Sequence, residues 1–66
     1  MGSDRYWERD VDPDTGEKGY SRTYDRGNRT EKEFVGDHGT HYIEETYYRS
    51  GQTYRTEDDG TVTRRR

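Results

Sequence analysis

The chain has 66 residues, enough for one small domain, with 15 acidic and 12 basic side chains and a formal net charge of −3. Charged residues make up 41% and hydrophobic ones 21%; seven tyrosines form half of the hydrophobic set, Leu and Ala are absent, and Leu, Ile, Val and Phe together supply 5 residues. This composition excludes a large aliphatic core, a helical bilayer span of ~20 apolar residues, disulfides and thiolate metal sites.

Residues 1–14 are charged throughout and hold no apolar run, so no secretory leader is expected. For a natural chain, that and the absence of cysteine point to the cytoplasm. The first segment, residues 5–11, ends at Asp12-Pro13-Asp14-Thr15-Gly16, a turn sequence. Residues 18–25 follow and stop at Arg26-Gly27-Asn28. Residues 29–35 run to Gly36-Asp37-His38-Gly39, residues 40–48 to Arg49-Ser50-Gly51, and residues 52–58 to Asp59-Gly60 before a last segment, 61–65. The segments are rich in Tyr, Thr, Val, Ile, Phe and Trp, which fit a pleated surface. No long window carries an apolar stripe of helical period. The expected fold is all-β: six short antiparallel strands in successive hairpins, one domain over residues 1–66, forming a single twisted sheet or a small barrel.

Period-2 alternation sorts the side chains by face. One phase choice puts Trp7, Val11, Tyr20, Tyr24, Phe34, Ile43, Tyr47, Tyr54 and Val62 on one side, leaving Tyr6, Val35, Tyr42 and Tyr48 on the other. The aromatic side then also carries Arg5, Arg9, Lys18, Arg22, Lys32 and Arg64 against Glu45 and Asp58. The reverse side collects Glu8, Asp10, Glu31, Glu33, Glu44 and Glu57 against Arg29, Arg55 and Arg65. From the aromatic side, Trp7, Tyr20, Tyr24, Phe34, Tyr47, Tyr54, Arg9 and Arg22 form the candidate binding set.

Self-comparison shows glycines 24 residues apart at Gly27 and Gly51 and at Gly36 and Gly60, and it aligns Gly16-Glu17-Lys18-Gly19 with Gly36-Asp37-His38-Gly39. Gly36-Asp37-His38-Gly39 through Thr46-Tyr47-Tyr48-Arg49-Ser50-Gly51 to Asp59-Gly60 resembles MORN-type hairpin repeats, which implies an elongated sheet that binds protein or lipid. Tyr24-Asp25-Arg26-Gly27-Asn28-Arg29-Thr30 resembles the core of YD repeats, which implies a structural fragment. The loops Asp12-Pro13-Asp14-Thr15-Gly16-Glu17 and Asp58-Asp59-Gly60-Thr61, with interspersed charge and no cysteine, resemble a computationally designed β protein. That resemblance covers the whole chain and implies a scaffold without natural activity.

Specific chemistry is weighed against plainer uses of the same residues. Asp10, Asp12, Asp14 and Glu17 are oxygen donors of the type Ca²⁺ takes, but the twelve-residue calcium loop pattern is missing and a hairpin connection accounts for them. His38 and His41, with Asp37 and Glu44, offer zinc donors, yet His41 and Glu44 fall on opposite strand faces. No metal or other cofactor is therefore expected. Ser3, Ser21 and Ser50 lack a base and a water-excluding pocket, so no enzyme is expected. Aromatics interleaved with arginines, extended by Arg64-Arg65-Arg66, could stack and neutralise single-stranded nucleic acid, but the net acidity disfavours it. The expected function is a non-enzymatic structural sheet needing no partner, with a protein- or lipid-binding module as the alternative. Arginines at both chain ends discourage edge-to-edge growth, so a monomer or a small closed oligomer is expected.

Overall fold

In a computed structural model, which describes residues 6–65, the chain is all β. The strands are β1 (Glu8–Val11), β2 (Lys18–Asp25), β3 (Arg29–Gly36), β4 (His41–Tyr47), β5 (Thr53–Glu57) and β6 (Val62–Arg64). They pair antiparallel in chain order, β1-β2-β3-β4-β5-β6, as an open meander rather than a closed barrel. Each strand falls within a segment read from the sequence, β3 running one residue further. The expected start of the first strand at Arg5, and Arg66 at the other end, lie outside the described residues.

The hairpin loops are of three kinds. Between β2 and β3, Arg26 N–H donates to the Arg29 carbonyl and only Gly27 takes positive φ, the pattern of a type II′ turn. The β3–β4 and β5–β6 loops share one geometry. Gly36 and Glu57 each donate to the residue four further on, and Gly39 and Gly60 donate back to Gly36 and Glu57. The β1–β2 and β4–β5 loops share another, with Asp12 and Tyr47 donating to the residue five further on and Gly16 and Gly51 donating back. Gly39 thus corresponds to Gly60, and Gly16 to Gly51. This corrects the equivalence of Gly36 with Gly60 and of the 16–19 and 36–39 stretches: Gly36 and Gly19 are strand residues with ordinary φ, and they pair with each other across β2 and β3.

The register fixes the two faces. Glu8, Ser21, Phe34, Tyr42 and Glu57 lie in one row across five strands, so Phe34 shares a face with Ser21 and Tyr42. Tyr20 pairs with Arg9 on one side and with Val35 on the other, and belongs to the opposite face. The expected phase of the third strand is therefore wrong by one residue. Phe34 and Lys32 leave the aromatic side, and Val35, Glu31, Glu33 and Arg29 join it. The physical reason is the tight approach of Gly19 to Gly36. A Cβ on Gly19 would strike the Val35 carbonyl, and the side of Gly36 where a Cβ would stand is filled by the Glu17 carboxylate. Two glycines at that pair bring Phe34 inward beside Ser21. Adjacent apolar residues at 34 and 35 would have satisfied either phase.

The core lies on the Phe34 face and is small. Phe34 and Tyr42 are fully buried and stack with centroids 5.1 Å apart. The rest of it is polar. The β1–β2 loop covers this face, burying the Asp12 side chain completely against a nearly buried Arg55 on β5.

Candidate functional site

On the aromatic face, Trp7 just before β1 lies with Arg9 and Val11 of β1 and Tyr20, Arg22 and Tyr24 of β2. β3 to β6 contribute Val35, Ile43, Tyr47, Tyr54, Val62 and Arg64. Of the eight residues singled out from the sequence, the structure brings seven together here. Phe34 alone is on the far side, buried and unavailable to a partner.

Much of this face is covered by guanidinium groups. Arg9 lies 4.6 Å from the Tyr20 ring centroid, and Arg22 lies 4.5 Å from Trp7 and 5.4 Å from Tyr24. Arg26 adds a second contact to Tyr24 at 4.9 Å, and Arg29 reaches Tyr47 at 5.9 Å. Such contacts each contribute roughly 0.5–1 kcal/mol at exposed sites and keep the rings partly dry. The same cations face carboxylates: Arg22 bonds Glu33 at 3.2 Å, Arg29 bonds Glu45 at 3.0 Å, and Arg9 is 3.9 Å from Asp37. Tyr54 differs, since among the described residues no guanidinium lies over its ring. It meets Tyr47 edge to face at 6.1 Å, and its hydroxyl donates to Gln52.

Two shallow clefts open on this face. One, of about 360 Å³, is lined by Trp7, Tyr20 and Val35. The other, of about 460 Å³, lies between Tyr47, Tyr54 and Val62, with Asn28, Arg49 and Gln52 among its polar neighbours. Both volumes fall in the range of small-molecule sites, ~300–1,000 Å³.

The titratable groups flagged by the sequence have other uses. Asp12 and Asp14 both accept hydrogen bonds from Arg55, and Asp14 also pairs with Arg65. Burial pushes the Asp12 carboxyl up, but the Asp14 amide and Arg55 outweigh it and hold the carboxyl below the usual range. Glu17 accepts from the Thr40 hydroxyl and from the His38 amide, which lowers its pKa and ties the first loop to the third. His41 does not meet Asp37 or Glu44. Its Nε2 is 2.9 Å from Glu33 and its Nδ1 pairs with Asp58, and these two carboxylates, Glu33 foremost, raise its pKa. Among the described residues no cluster of three or more His, Asp or Glu side chains is arranged to hold a metal ion. Nor is any helix long and apolar enough to cross a membrane.

Sequence reasoning missed Val35 as a lining residue and missed the Asp12–Arg55–Tyr42 grouping. The signal for the first is the Gly19 and Gly36 pair; for the second no local signal exists, because Asp12 and Arg55 are 43 positions apart. No protein-family model matches the chain, and no curated protein and no solved structure matches it significantly.

Proposed function

We propose that the chain is a non-enzymatic structural β-sheet, a self-sufficient scaffold of the regular hairpin kind seen in designed β proteins, with no natural biochemical activity. The observation that carries this reading is where the charged side chains go. Arg22–Glu33, Arg29–Glu45, Lys32–Asp10 and Arg55–Asp12 each tie one strand to another or to a loop. Catalysis needs such groups held toward a reacting atom in a water-excluding pocket. In this sheet they are held toward each other. Unfolding of the isolated chain, followed by circular dichroism without metal or partner, tests the reading. The expected midpoint stays constant across a roughly hundredfold dilution, whereas a midpoint that falls on dilution would mean that order comes from association.

A second reading, a small protein-binding module, is favoured by the joint exposure of Trp7, Tyr20 and Val35, each about two-fifths exposed. A single-stranded nucleic-acid binder has less support, because Arg9 and Arg22 already face Asp37 and Glu33.

A further inference from the structure

We infer that the cleft between Tyr47, Tyr54 and Val62 binds a small planar aromatic carboxylate, its ring against Tyr54 and its anionic group toward Arg49. The inference goes beyond the scaffold reading and concerns a part of the aromatic face separate from Trp7, Tyr20 and Val35.

Three features select this cleft over the one at Trp7. The first is an uncovered ring. Arg9 and Arg22 already lie over Tyr20 and Trp7, whereas Tyr54 offers its ring with only the edge-to-face contact from Tyr47. A third aromatic ring set edge-on or offset against such a pair is favoured by about 0.5–1.5 kcal/mol beyond the area it buries. The second is the apolar wall, since Val62 stays exposed on β6 beside the two tyrosines.

The third is charge. Arg49, on the β4–β5 loop at the cleft's edge, makes no ion pair among the described residues. Neither does Arg64, which stands directly across from Tyr54 on the same face. Glu45 also lines the cleft, but Arg29 bonds its carboxylate at 3.0 Å and offsets its charge. Three further polar neighbours are occupied: Asn28 accepts from Arg29, Gln52 from the Tyr54 hydroxyl, and Ser50 from the Gln52 backbone amide. The cleft therefore offers an uncovered aromatic ring, an apolar wall and one uncommitted cation at its edge, with Arg64 outside the lining but across from Tyr54, which complements a flat apolar body carrying one negative charge.

The test titrates the ¹⁵N-labelled chain with indole-3-propionate and, separately, with its neutral amide, indole-3-propionamide. Saturable shifts centred on Tyr47, Arg49, Tyr54 and Val62 are expected. The carboxylate should bind several-fold more tightly than the amide, and the R49Q/R64Q variant should remove most of that difference, about fivefold per exposed ion pair at best. Both substitutions are on exposed side chains, and the same spectra report whether the fold is kept. Equal affinity for the two probes, shifts centred on Trp7 and Tyr20, or a dispersed spectrum that neither probe moves would overturn the site while leaving the scaffold intact. A spectrum collapsed to random-coil positions would overturn the scaffold and the site together.

Discussion

The guanidinium of Arg55 sits over the ring of Tyr42, its central carbon 3.8 Å from the ring centroid, and from there forks onto both carboxylate oxygens of Asp12 at 3.4 Å. The same side chain bonds Asp14 at 3.1 Å and Glu57 at 3.1 Å. A sheet with five aliphatic or phenylalanine residues in all thus closes its inner face with a cation stacked on a ring. Loss of one partner strands the other in a dry site. Arg55→Ala is expected to cost about 3–5 kcal/mol, enough to unfold much of a domain this size at room temperature. Replacing both partners together, in D12N/R55M, should recover part of that loss. Urea unfolding of D12N, R55M and D12N/R55M checks the coupling, and simple additivity of the two single losses would contradict it.

The two faces make opposite demands on their aromatic residues. Phe34→Ala empties a fully buried position beside Tyr42 and is expected to cost about 3–5 kcal/mol. Trp7→Ser and Tyr20→Ser remove exposed rings and should each cost about 1 kcal/mol or less, the scale of their arginine contacts. Thermal unfolding of the three variants decides the face assignment; similar losses for all three would mean that the rings share one side.

This reversal shows what could be read in the sequence. Strand positions were legible because each turn declares itself with glycine beside Asp, Asn or Ser, and every segment between turns is strand-forming. The side-chain set around Tyr20, Tyr47 and Tyr54 was legible for the same reason, since period 2 leaves one choice per strand. Phe34 was not, because sorting by hydrophobicity assumes that the most aromatic face is the core. Here the aromatic face is half-covered by arginine stems, and the core is built from Phe34, Tyr42, two strand glycines and an ion pair. The Asp12–Arg55 contact depends on how the twisted sheet brings its first loop over its fifth strand, and no local pattern encodes that.

Gly19 provides a separate check on the register. A methyl group there would collide with the Val35 carbonyl, a backbone atom that can yield only if β2 and β3 separate. Gly19→Ala is expected to lower the unfolding midpoint by at least as much as Gly27→Ala. At Gly27 there is open space, and the cost is the left-handed backbone alone, about 1–2 kcal/mol. Full tolerance of alanine at position 19 would contradict the observed pairing.

His41 gives the fold a pH dependence on its alkaline side. Its imidazolium is held by Glu33, which also accepts from Arg22, and by Asp58. Because the folded pKa is raised above the ordinary 6.5, the stabilisation is complete below that value and is lost as pH rises through the folded pKa. The acidic side has the opposite sign. Glu33, held by His41 and Arg22, is lowered from 4.5, so its contribution is present above that value and is lost as pH falls through the folded pKa. Stability is therefore expected to be greatest between these two values. Unfolding midpoints of the parent chain and H41Q across pH check this; the variant should lose the decline that sets in as pH rises above 6.5, and an unchanged decline would contradict the assignment.

The most direct test of the polar core is the Arg55 Nε–H resonance in a ¹⁵N–¹H correlation spectrum of the isolated chain. The expected result is a dispersed amide spectrum with one arginine Nε–H signal, assigned to Arg55. That signal should be shifted by the Tyr42 ring, exchange with solvent more slowly than those of the other arginines, and return to the common position in Tyr42→Leu. An Arg55 signal that coincides with the exposed arginines and exchanges as fast as they do, in an otherwise dispersed spectrum, would contradict a core closed by Asp12, Arg55 and Tyr42.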